Sequence, residues 1–105
     1  MISPSRLVAL LCANPSKIFG LYPQKGTISI GSDADIVIFN PHQKKTIQYQ
    51  DLQTNCDWSP YQGMELTGYP KITLSRGKVV AKVGKFVGDI EHGRFVSRSH
   101  SMEIG

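Results

Sequence analysis

Cysteine is scarce in this chain. Cys12 and Cys56 are the only two in 105 residues, too few and too far apart for a disulfide framework or a zinc knuckle, so a reduced, cytoplasmic setting is expected. Long apolar runs are also missing. No stretch approaches the roughly 20 residues that span a bilayer, and the first twenty residues lack the charged start and long apolar centre of a signal peptide. Charge of one sign is not concentrated: twelve basic and eight acidic residues leave a net +4, scattered apart from Lys44-Lys45 and the region from Arg94 to Arg98. No basic and aromatic residues interleave in a recognisable pattern, so a solvated surface is expected in place of a nucleic-acid site.

Chemical motifs are equally sparse. His42, His92 and His100 are isolated, with no His-x-His or His-x-x-x-His, whereas a catalytic zinc site wants three convergent protein ligands. Asp33 and Asp35, two apart in a Gly/Ser/Asp turn, are expected to serve the local backbone; no further acids follow at calcium-loop spacing. Ser32, Ser59 and Ser75 have no Gly-x-Ser-x-Gly elbow around them, and no glycine string is present to cradle a phosphate. Cys56 beside Asp57 is a poor thiolate, and Cys12 reads as a small buried hydrophobe on an apolar helix side. From the residues alone, catalytic, metal-binding and substrate-binding positions are all predicted to be absent.

What is present is a core-forming composition, 40% hydrophobic, enough for one small domain or a piece of a larger one. Ser3-Pro4 is a helix start, with a capping hydroxyl followed by a proline whose missing N–H costs nothing. Leu7, Val8, Leu10 and Leu11 then form an apolar stripe. Asn14-Pro15 repeats the start signal, and Gly20 supplies a C-terminal cap, so two short helices are predicted. Together with Leu21 and Tyr22 they carry more apolar surface than they can bury alone.

The stretch from Gly26 to Pro41 organises the rest. Thr27 to Ile30 alternates as a half-buried strand does; Gly31 to Asp35 is a turn; Ile36-Val37-Ile38-Phe39 is apolar on both faces and needs cover on both. Asn40-Pro41 is expected to end that strand. Lys44 to Tyr49 is a further strand candidate. Residues 51–63 have neither period, yet hold Trp58 and Tyr61, rings expected to pack across a neighbouring surface. Gly68 and Pro70 introduce a meander of short antiparallel strands, 72–76, 78–82 and 85–87, separated by Gly77 and by Val83-Gly84. The last residues, with Ser97, Arg98, Ser99, His100 and Ser101, have too little apolar content to hold themselves down. The fold class expected is mainly β, with helices first.

Asn14-Pro-Ser-Lys-Ile-Phe-Gly-Leu-Tyr-Pro-Gln-Lys25 followed by Gly26-Thr-Ile-Ser-Ile-Gly-Ser-Asp-Ala-Asp-Ile-Val-Ile-Phe39 resembles the segment where metal-dependent amidohydrolases leave a catalytic barrel and enter a C-terminal β-sandwich. Trp58-Ser-Pro-Tyr-Gln-Gly-Met-Glu-Leu-Thr-Gly-Tyr-Pro70, Ser75-Arg-Gly-Lys-Val-Val80, Gly84-Lys-Phe-Val-Gly88 and Gly93-Arg-Phe95 are similar to the dihydropyrimidinase and D-hydantoinase branch. The resemblance covers residues 3 to 98. It implies a small β-sandwich over residues 25–96, preceded in residues 1–24 by helices that close a TIM-barrel domain, and followed by a mobile tail, residues 97–105.

The same resemblance implies a hydrolase that opens cyclic amide rings such as dihydropyrimidines or 5-substituted hydantoins. The family uses a binuclear zinc centre bridged by a carboxylated lysine and hydroxide. Its ligands lie on barrel strands upstream of the matched part, so none is transferred to this chain, which is expected to be inactive alone. Met1 is then expected to be a start inside, or a truncation of, a longer protein. The partners implied are the missing barrel domain and, in the full-length family, a homo-oligomer, usually a tetramer, with no nucleic acid and no membrane. A non-enzymatic assembly module of dihydropyrimidinase type, or a piece of an allantoinase-type enzyme, stays open beside it.

Overall fold

The structure is a computed structural model that describes residues 1–104. It divides into two units. The first comprises residues 1–35, 75–77 and the chain from Ile90 on; the second comprises residues 36–74 and 78–89.

In the first unit the chain opens with helix α1 (Pro4–Val8), passes through a π-helical turn (Ala9–Ala13), and continues as α2 (Asn14–Ile18). Ser3 caps the start, its Oγ accepting the Arg6 N–H at 3.2 Å. The predicted break at Asn14-Pro15 does not occur. Val8, Ala9, Ala13 and Asn14 all keep right-handed helical angles, and the Asn14 N–H bonds the Ala9 carbonyl five residues back. That wider turn accommodates Pro15, which can neither donate to a carbonyl four residues back nor fit its ring against it.

The helix ends as predicted. Gly20 adopts φ +70°, the Leu21 N–H reaches the Ser16 carbonyl at 2.7 Å and the Gly20 N–H the Lys17 carbonyl at 3.2 Å, the paired bonds of a Schellman ending. The Ser99 N–H then donates to the Gly20 carbonyl at 2.8 Å and the Met102 N–H to the Lys17 carbonyl at 2.9 Å. The C-terminal arm thereby donates to the capping glycine's carbonyl and adds a second donor to that of Lys17.

Thr27 to Ile30 is not a strand but a run of bends and turns, and Ile28 and Ile30 lie in solvent. Alternation supplies a face to bury, but a strand also needs a neighbour to complete its ladder, and none pairs with this stretch.

The second unit is a four-stranded antiparallel sheet in the order β1-β2-β3-β4: β1 (Ile36–Thr46), β2 (Glu65–Ser75), β3 (Lys78–Lys82) and β4 (Lys85–Phe86). Asn40-Pro41 does not stop β1, and Lys44 to Thr46 belong to the same strand, while Ile47 to Tyr49 lie outside it. The register shifts between Asn40 and Lys44, where residues 41–43 bulge opposite Gly68 (φ +99°). Pro41 is tolerated there because β1 is an outside strand and a bulge needs no ladder N–H. Gly68 is required: a Cβ on it would stand 2.7 Å from the Phe39 ring.

β2 begins at Glu65, seven residues before the predicted Ile72, so Gly68 and Pro70 lie within it. The tight turns fall where the sequence placed them. Arg76-Gly77 and Val83-Gly84 all have positive φ, the backbone of a two-residue hairpin turn whose twist matches the strands.

Among the described residues no apolar side chain is buried. Val37, Ile38 and Phe39, predicted to need cover on both faces, are 55%, 47% and 55% exposed. Trp58 and Tyr61 are also exposed, on a loop closed at its base by bonds from the Tyr49 N–H to Gln62 Oε1 (2.7 Å) and from Gln62 Nε2 to Gln48 Oε1 (2.5 Å). Cys12 is exposed too, correcting its expected burial.

Candidate functional site

The densest polar constellation lies in the first unit, around the Gly31–Asp35 turn. Lys25 Nζ sits 2.9 Å from Asp33 Oδ2 and 2.5 Å from Asp35 Oδ2. Gln24 Nε2 donates to Asp33 Oδ2 at 3.1 Å, and the Arg76 backbone N–H donates to Asp35 Oδ1 at 2.9 Å. Two backbone bonds, Asp33 N–H to the Gln24 carbonyl (2.9 Å) and Gly77 N–H to the Ala34 carbonyl (3.0 Å), complete the turn. The expected service to the local backbone is corrected: the Asp33 carboxylate accepts from the Gln24 and Lys25 side chains, and that of Asp35 from Lys25 and from the backbone of Arg76, 41 residues further on.

The electrostatics follow. Lys25 is raised above its ordinary 10.5, first by its hydrogen bond to Asp35, with burial opposing and Asp33 adding to it. Asp33 is lowered, first by the Lys25 hydrogen bond and then by that of Gln24. Burial pushes Asp35 up, but the hydrogen bonds from Lys25 and the Arg76 amide together outweigh it, and its carboxyl is held below the usual value. Both acids are therefore ionised and committed, the opposite of what a general acid near neutral pH requires.

His92 departs from its predicted place as an isolated surface residue. Its Nε2 lies 2.8 Å from the Ser75 carbonyl oxygen and 3.1 Å from Ser75 Oγ, and its Nδ1 lies 3.3 Å from Arg76 Nη2. Arg76 Nη2 also donates to the His92 carbonyl. A carbonyl only accepts, so Nε2 carries the proton and Nδ1 accepts from the guanidinium. In that tautomer Nε2 has no lone pair to take the Ser75 hydroxyl proton, and the Ser–His proximity is a clasp and not a nucleophile–base pair. Nothing in the local sequence signals it, because the partners lie 16 and 17 residues apart and meet only through the β2–β3 hairpin.

The same test applies to a metal. Among the described residues no three His, Cys, Asp or Glu side chains gather in a way that could hold one; His92 has both ring nitrogens engaged, and Asp33 and Asp35 share Lys25. The residues present do not fit a metal centre. Among the described residues, no helix is long and apolar enough to cross a membrane.

A profile of the amidohydrolase family matches residues 1–80. D-hydantoinase of Ralstonia pickettii is 42% identical over 97 residues, covering 92% of this chain but 21% of that protein. D-phenylhydantoinase of Escherichia coli is 45% identical over the same length and shares. The crystal structure of dihydropyrimidinase from Brevibacillus agri superposes with a TM-score of 0.91 at 41% identity, over 97% of this chain and 22% of that one. The chain thus spans about a fifth of the length of the relatives it matches. A family profile covering three quarters of the residues, with likeness in sequence and in fold to hydantoinases and a dihydropyrimidinase, establishes that this chain belongs to the amidohydrolase family.

Proposed function

We propose that these 105 residues are the C-terminal, non-catalytic portion of a hydrolase of dihydropyrimidinase or hydantoinase type, one that opens cyclic amide rings and works in the cytoplasm. Residues 1–24 close its barrel domain, residues 25–96 contribute most of a small β-sandwich, and residues 97–105 form a C-terminal arm. Its zinc pair and carboxylated lysine belong to the barrel, and the full-length protein is a homo-oligomer.

One observation carries this reading: the surface is too large for what the chain contains. The accessible area is 8444 Å², against about 7,000 Å² for even two separate globules of half its mass each. With no apolar side chain buried among the described residues, the exposed stripe of α1 and both faces of β1 need a larger body to lie against. The relatives' unmatched four fifths are large enough to supply it.

The test is complementation. A hydantoinase relative trimmed of its matched segment is mixed or co-expressed with this chain, and ring opening of a 5-substituted hydantoin is followed by formation of the N-carbamoyl product. The expected result is activity from the mixture and none from this chain alone. Ring opening by the chain alone, or failure of the two parts to associate, overturns the proposal. Association without activity, using an otherwise active relative, identifies an assembly module instead.

A further inference from the structure

We draw no further inference here: the strongest candidate, the exposed aromatic patch on the loop between β1 and β2 formed by Trp58, Tyr61 and Met64, carries none because nothing in the structure shows what covers it.

Discussion

Gly20→Ala should do more than strain a helix end, because two separate constraints meet at that residue. Its φ of +70° lies where an L side chain costs about 1–2 kcal/mol. A Cβ there would also stand 2.0 Å from the Ser99 carbonyl oxygen and 2.8 Å from its carbon; both are backbone atoms, so the arm must move. Moving it removes the Ser99 and Met102 N–H bonds to the helix end and the Ser99 Oγ bond to the Gly20 carbonyl (3.1 Å). At about 0.5–1.5 kcal/mol each before ordering entropy is subtracted, these leave about 1 kcal/mol net.

A double-mutant cycle isolates that part. In the full chain Gly20→Ala should cost about 2–3 kcal/mol, and in a chain ending at Val96 only the about 1–2 kcal/mol of backbone strain, a coupling of about 1 kcal/mol. Urea unfolding followed by circular dichroism, at concentrations low enough to hold the chain monomeric, gives the four stabilities. Amide exchange at Ser99 and Met102 should quicken in the Gly20→Ala chain. Equal costs in both backgrounds, within about 0.3 kcal/mol, would refute the reasoning and show that the arm does not rest on the helix end.

The Lys25–Asp33–Asp35 cluster sets a pH window. Asp33 and Asp35 lie below their ordinary 3.8, so their contribution is full above that value and is lost as pH falls through their lowered ones; Lys25 lies above 10.5, so its contribution is full below that value and is lost as pH rises through its raised one. Thermal melts should therefore show the cluster's contribution intact between about pH 4 and 10, and Lys25→Met should flatten both limbs. Ser3→Ala removes the hydroxyl that accepts the Arg6 N–H and should cost about 1 kcal/mol in urea melts. Val83 holds φ +48° at the first position of its hairpin turn, a strained place for a β-branched residue. Val83→Asn, which tolerates that backbone, should raise stability by about 0.5–1 kcal/mol, and a loss would show that the Val83 side chain contributes more by packing than its backbone costs.

Features set by a few neighbouring residues were legible: Ser3-Pro4 starts the helix, Gly20 ends it, and Gly77 and Val83-Gly84 place the hairpin turns. Each depends on backbone angles and hydrogen bonds that close within a turn or two. The family likeness was legible as well, because the motifs around Asn14–Phe39 and Trp58–Pro70 are contiguous.

What required tertiary structure depended on partners distant in sequence. Thr27 to Ile30 alternates correctly but has no strand beside it, so the pattern alone could not make it a strand. Pro41 reads as a stop, yet in an outside strand its missing N–H faces no ladder, and β1 continues past it. Asn14-Pro15 reads as a start, yet a π-helical turn carries the helix through. His92 is unremarkable in sequence and becomes a clasp only when the hairpin brings Ser75 and Arg76 to it. Local chemistry determined where this chain turns, starts and stops; only the fold decided which of its patterns found partners, because hydrogen-bond ladders and apolar faces are completed by residues that no local window contains.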